Sequence, residues 1–235
     1  TTITKLYLRG LPLLETCDLC ETLESVTDEL RVDCTVLSAD KPRFPVMSDI
    51  AYLRFGITLY GGDGYDNEAY NTVPTDALPL FGQTVTVPSA WIYAVRADDL
   101  SVLAGFTPTF VKMEALTASS LDGPVISEEM SGVEITNNDL LTDISSLGAL
   151  KSVAGGEFVT TSQLRITGNA LLADISPLMG ITAVNPVVYL NITDNAALSQ
   201  ADAQKVADHF VNDLGLPSSH VKVSGNCAAC PGLIP

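Results

Sequence analysis

Cysteines, histidines and paired carboxylates are the side chains that could do chemistry in this sequence, and none falls in a catalytic spacing. The two histidines, His209 and His220, have no nucleophile motif beside them. Asp98-Asp99 is an acid pair of the kind a glycan-cleaving hydrolase or lyase would use, but the pair falls among turn residues, where Asp is expected for structural reasons. There is no P-loop, no Gly-x-Gly-x-x-Gly after a strand, no His-Glu-x-x-His and no Gly-x-Ser-x-Gly. No catalytic, cofactor-binding or metal-ligating residue is therefore assigned, and the chain is read as not an enzyme.

Three other groups carry chemical interest. Five cysteines stand at Cys17, Cys20, Cys34, Cys227 and Cys230. Neither Cys-x-x-Cys pair lies in the βαβ setting of a thioredoxin-like site. The segment from Tyr60 through Tyr65 to Tyr70 mixes three tyrosines with Gly, Asn and acids, which suits an adaptable recognition loop. The same residues also suit an ordinary exposed insertion. Asp63, Asp66, Asn67 and Glu68 could ligate calcium, but their spacing is not that of an EF-hand loop. Asn191-Ile192-Thr193 is a glycosylation sequon with its Asn expected to face outward.

The elements that position these residues are set by a repeat. Leu6-Tyr7-Leu8, Leu13-Leu14, Cys17, Cys20, Leu23 and Val26 match Val133-Glu134-Ile135, Leu140-Leu141, Ile144, Leu147, Leu150 and Val153 without a gap. The second stretch matches Leu164-Arg165-Ile166, Leu171-Leu172, Ile175, Leu178, Ile181 and Val184 in the same way. Each copy opens on an apolar-x-apolar pair, which places both apolar side chains on one strand face. Turn residues follow, then Leu-Leu, Ile and Leu at spacings of a tight turn or short helix. A unit this small cannot bury both its strand and its return, so the units must stack. Strands are expected near 4–8, 30–34, 132–136, 163–167 and 188–193, with others within 50–59, 83–88, 110–116 and 157–161.

A weaker copy runs from Ile92, aligned with Val133, to Phe106, aligned with Leu147. The outward positions of the copies read Tyr7, Glu134, Arg165 and Asn191, then Arg9, Thr136, Thr167 and Thr193. Asn138, Asn169 and Asn195 occupy one frame position, where a ladder of buried amides would satisfy backbone groups of adjacent coils. A fourth unit at 189–198 gives way to an amphipathic helix, 199–215. Ser199 and Asp202 read as its capping box, Ala203, Val206, Ala207, Phe210, Val211 and Leu214 as its apolar stripe, and Gly215 then Pro217 as its stop. A helix there would close the open end of the array.

The stretch 135–156, from Ile135-Thr-Asn-Asn-Asp139 to Ser152-Val-Ala-Gly-Gly156, resembles the receptor L domain family of receptor ectodomains and microbial surface proteins. The likeness is clear over 133–200 and 4–34. It implies a mainly β fold: a right-handed parallel β-helix, or leucine-rich-like solenoid, with a C-terminal capping helix. It implies one such domain over 1–226, with an inserted loop at 61–79. Residues 227–235 resemble the start of a cysteine-rich module, or are a tail. On the repeat frame Cys17 and Cys20 point inward and Cys34 lies near one of them; Cys34 and that cysteine form a disulfide, as an extracellular family favours, or all three remain buried thiols. Cys227 and Cys230 pair with each other or with cysteines elsewhere. Zinc would need the two Cys-x-x-Cys pairs to meet, and they belong at opposite ends of the stack.

Composition agrees. Hydrophobic residues make up 46% of 235, enough for one large β domain, and the formal charge is −16. That charge repels phosphate backbones and anionic lipid, so no nucleic-acid partner and no direct membrane insertion are expected. No apolar run has the length of a membrane helix. The chain opens inside a strand, which suggests a fragment of the ectodomain of an anchored protein. The expectation is an extracellular, non-enzymatic recognition or adhesion domain that binds a protein or glycan at the cell surface. A structural cell-surface or cell-wall spacer is the alternative, and a β-helix hydrolase or lyase the third reading.

Overall fold

The computed structural model describes residues 2–9, 25–33, 52–56, 71–72, 85–87, 89–93, 95–96, 100, 103–104, 106–154 and 163–234. Cys17, Cys20, Cys34, Tyr60, Tyr65, Tyr70, the Asp98-Asp99 pair and the strand expected within 157–161 lie outside the described residues.

The strands, in chain order, are Thr2–Arg9 (β1), Ser25–Asp33 (β2), Tyr52–Gly56 (β3), Asn71–Thr72 (β4), Val85–Val87 (β5), Ser89–Tyr93 (β6), Val95–Arg96 (β7) and Phe106–Pro108 (β8). They continue with Phe110–Glu114 (β9), Glu129–Met130 (β10), Gly132–Thr136 (β11), Ser152–Val153 (β12), Gln163–Thr167 (β13), Ala183–Val184 (β14), Tyr189–Thr193 (β15) and Val221–Ser224 (β16). Nine of them make one sheet in the order β1-β2-β3-β6-β9-β11-β13-β15-β16, and every pairing in it is parallel. A second parallel sheet, β10-β12-β14, is formed by the return segments. The chain is thus mainly β, in parallel sheets, with one α-helix, Gln200–Asp208 (α1), among the described residues.

The inward rows explain why these strands form. Val111, Val133, Leu164, Leu190 and Val221 stand in one register row, and Met113, Ile135, Ile166, Ile192 and Val223 in the next. Leu6 joins the first row through Leu30, Leu53 and Ala90, so the match of Leu6 with Val133 is a true structural equivalence. The row members from β9 to β15 are buried in one hydrophobic core, while Val221 and Val223 are only half-buried at the end of the sheet. Burial of each Val, Leu or Ile contributes about 1.5–3 kcal/mol, and β-branched residues suit the pleat.

The return segments repeat as well. The Asp143 and Asp174 carboxylates each accept a hydrogen bond from the backbone N–H two residues on, at 2.7 Å. Short 3-10 turns follow, Ser145–Ala149 and Ser176–Gly180, and bury Leu147 and Leu178. A residue with positive φ follows each strand of the long sheet from β9 onward: Ala115, Asn137, Gly168, Asp194 and Gly225. At Gly168 a Cβ would lie 2.4 Å from the Asn137 Oδ1, so a larger residue there would displace that amide as well as adopt a φ of 71°.

Several expectations are corrected. Ile92 pairs with Met113, which pairs with Ile135, so the weaker copy enters the sheet two residues out of its expected register with Val133. The shift is even and leaves Ile92 facing the core, with no exposure at all. Of each Leu-Leu pair only the second buries: Leu141 and Leu172 are in the core, whereas Leu140 and Leu171 are half exposed. Of the segment 61–79, expected as an inserted loop, only β4 is among the described residues, and it pairs in parallel with β7.

The helix does not end the array, because β16 follows it and pairs with β15. Its α-helical part stops at Asp208 and continues as a wider π-type turn over His209–Asp213. Ser199 caps it, accepting from the N–H groups of Ala201 and Asp202 at 3.2 and 3.4 Å. Asp202 is not the expected capping-box partner. Its buried carboxylate accepts the backbone N–H groups of Leu233 and Ile234, and Lys205 stands 3.8 Å away. His209 ties the helix to the previous return, with Nε2 2.9 Å from the Ile181 carbonyl and Nδ1 2.8 Å from Asp213. Cys227 and Cys230 form a disulfide with each other.

Candidate functional site

Two polar features could serve function: the buried asparagine column and the outward face of the long sheet. The column is built one residue after each positive-φ position, where the chain turns inward. Asn138, Asn169 and Asn195 are fully buried. Each Oδ1 accepts the backbone N–H of its counterpart in the preceding coil: from Leu116 to Asn138 at 2.9 Å, Asn138 to Asn169 at 3.1 Å and Asn169 to Asn195 at 3.0 Å. Each Nδ2 donates to a preceding-strand carbonyl, Met113, Ile135 or Ile166. It also donates to the next amide oxygen. The column has a fourth rung, Asn226, that the sequence reading missed. It accepts from Asn195 and donates to the Ile192 carbonyl and to Gln200 Oε1. These groups satisfy backbone otherwise buried without partners, so the column is structural.

The outward face is where a partner could touch the protein. One register row runs Lys112, Glu134, Arg165, Asn191 and Lys222. A second runs Glu114, Thr136, Thr167, Thr193 and Ser224. This second row is less open than its residue types suggest. Thr136 and Thr193 are only 5% exposed, and the Thr167 and Thr193 hydroxyls bond at 3.2 Å. A third row brings Phe110 beside Gly132 and Gln163 beside Tyr189. The Phe110 ring lies over Gly132, where a Cβ would approach it to 3.1 Å.

Charge is distributed unevenly along the first row. Lys112 pairs with Glu114 at 2.8 Å. Burial pushes the Glu134 carboxyl above its ordinary value; Lys112 and Arg165 oppose that shift and Glu114 adds to it. Arg165 lies opposite Glu134 in register, but no ion pair or hydrogen bond of its guanidinium is found among the described residues, and its Nε is buried without a partner. Beyond it stand Asn191, which is half-buried rather than fully outward, and Lys222, which is exposed. Tyr189 is 39% exposed and stacks on His220 at 4.3 Å between ring centroids.

Lys222, Tyr189 and His220 were not anticipated as neighbours, because β16 was not. Val221-Lys222-Val223 has the apolar-x-apolar signature of Leu190-Asn191-Ile192, and Asn226 follows it at the ladder position. Those two signals would have found the strand. Among the described residues no group of three or more His, Cys, Asp or Glu is placed to hold a metal ion, and no helix is long and apolar enough to cross a membrane. Comparison of the chain with protein-family models, curated proteins and solved structures gives no match.

Proposed function

We propose that this chain is an extracellular, non-enzymatic recognition or adhesion domain of a cell-surface protein, one that binds a protein or glycan partner. Its architecture in this reading is the right-handed parallel β-helix of receptor L domains, one domain over 1–226, with α1 inserted between its last two strands. The parallel in-register rows of both sheets and the recurrent asparagine position support that architecture. The observation that carries the functional reading is the outward face of β13, β15 and β16, where exposed and half-buried polar and aromatic side chains are held on a rigid ladder. The Cys227–Cys230 disulfide is consistent with an oxidising compartment.

The test is display of the chain as a labelled multimer against cells and arrays of glycans and surface proteins. Saturable binding, competed by the unlabelled chain, is expected. A folded chain that binds nothing would sink this reading. The spacer alternative would then gain, and it has one observation in its favour: the outward threonine row is spent on itself, through the Thr167–Thr193 bond.

A further inference from the structure

The recognition reading leaves the ligand open, and the C-terminal end of the outward face narrows it. Three facts meet there. The Arg165 Nε is buried without a hydrogen-bond partner, and the charge of its guanidinium is met in its row by the attraction of Glu134 across the register. An unpaired buried donor is costly, and a charged one more so, so such a group calls for an acceptor. Asn191 stands next to it in register and Lys222 next to Asn191, at one strand spacing of about 4.8 Å each. Beside that row the Tyr189 ring stacks on His220, whose Nδ1 is also buried without a partner.

We propose that the outward side of β13, β15 and β16 is a binding site for a carboxylate-bearing saccharide, with Arg165 and Lys222 holding the carboxylate, Asn191 bonding ring hydroxyls and the Tyr189–His220 stack packing against the sugar. This rests on the recognition reading above.

The chemistry favours a charged sugar. Arginine binds carboxylates through a planar fork of donors, and a lysine at two strand spacings adds a point charge from the other side. An asparagine between two cations offers both a donor and an acceptor, which hydroxyls need and a bare anion does not. An aromatic pair supplies apolar surface beside these polar groups. The backbone groups of β13 and β15 are already used within the sheet, so recognition here is by side chains alone. An acidic peptide would instead add to a free strand edge. The site also stands out against a molecule with 28 acidic and 12 basic residues. The nearest carboxyl in its row, Glu134, is raised above its ordinary value by burial, with Lys112 and Arg165 opposing that shift.

The experiment uses the full chain, secreted from a host that leaves Asn191 unmodified. Its amide, arginine Nε and aromatic resonances are followed by NMR during titration with trigalacturonate. Fully methyl-esterified trigalacturonate and an acidic hexapeptide are the comparison arms. Saturable shifts are expected at Arg165 Nε, the Asn191 side-chain amide, Tyr189 and His220, with affinity for the methyl ester about tenfold weaker. Arg165→Gln and Lys222→Gln should each weaken trigalacturonate by a similar factor while the melting temperature stays put. Equal binding of the ester, preference for the peptide, shifts confined to other residues, or no saturable shift would each overturn the site. Cell or array binding that persists in both variants would overturn this site and leave the recognition reading standing. Absence of any cell or array binding by the unaltered chain would overturn the reading itself.

Discussion

Asn169 uses all of its side-chain hydrogen-bonding capacity inside the protein. Its Oδ1 accepts from the backbone and side-chain amides of Asn138, and its Nδ2 donates to the Ile135 carbonyl and to Asn195 Oδ1. Asn169→Ala would leave the Asn138 N–H and the Ile135 carbonyl buried without partners. The expected loss is about 3–5 kcal/mol, read as a fall in the urea midpoint. Ala115 gives the opposite case. It holds φ at 54° where Gly168 and Gly225 stand in later coils, so Ala115→Gly should stabilise by about 1 kcal/mol. Glu134 gives a pH-dependent one. With its folded carboxyl raised by burial, the native state binds the proton more tightly than the unfolded chain. Stability therefore falls as pH rises from the ordinary carboxylate range through the raised value. Glu134→Gln should raise the melting temperature at about pH 7 and change it little below about pH 4. An equal gain at both pH values would remove titration as the cause. At this scale the sequence was legible where a residue repeats: three asparagines at one frame position pointed to a ladder. The buried, unpartnered Nε of Arg165 was not legible, because burial without a partner is a property of packing.

Between the last repeat and the end of the described chain, elements depart from the sequence expectation for a common reason. The amphipathic stripe from Ala203 to Phe210 correctly marks a helix packed on the core. The helix was read as the end of the array, so the apolar-x-apolar signature of Val221-Lys222-Val223 was passed over although it marks one more strand. Asp202 looked like a capping residue because of its distance from Ser199. Its carboxylate is drawn away by the two backbone N–H groups of Leu233 and Ile234, from a segment far along the chain. Charge-assisted bonds of this kind outcompete a local cap. Asp202→Ala should therefore release the tail more than the helix. Hydrogen exchange at Leu233 and Ile234 should become fast, while exchange in Ala203–Ala207 stays slow. Equal acceleration in both would return Asp202 to a capping role. The Leu-Leu pairs were legible only in part, since adjacent residues on a turn cannot both face one core. Half exposure of Leu140 and Leu171 is the geometric consequence.

At the scale of the whole chain, parity of strand positions survived where exact alignment did not. Leu6 and Val133 share a row across the intervening strands, and Ile92 faces the core although its partner is two residues from the expected one. Apolar alternation encodes which face is inward; turn lengths, which vary among the copies, decide the register. Net charge is also a whole-molecule property. With an excess of 16 acidic side chains, self-repulsion opposes compaction, and added salt screens it. Raising sodium chloride from about 10 mM to about 300 mM should raise the melting temperature by a few degrees. A fall would mean that attractive pairs, such as Lys112–Glu114, outweigh the repulsion.

The asparagine column has a direction. From Asn138 to Asn226 every amide passes a donor forward and takes one from behind, and Gln200 Oε1 receives the last. At the other end Leu116 supplies only a backbone N–H. The side-chain dipoles therefore align like magnets in a row, and alignment of this kind strengthens each member. It also makes the array extensible in one sense only. A duplicated coil carrying its own Asn could be spliced between two rungs with no change to either neighbour, because each rung asks the same of both. A coil whose Asn had become Leu would split the row in two. Length in this protein is then a quantity that gene duplication can change in whole coils, and polarity is the rule that duplication must obey.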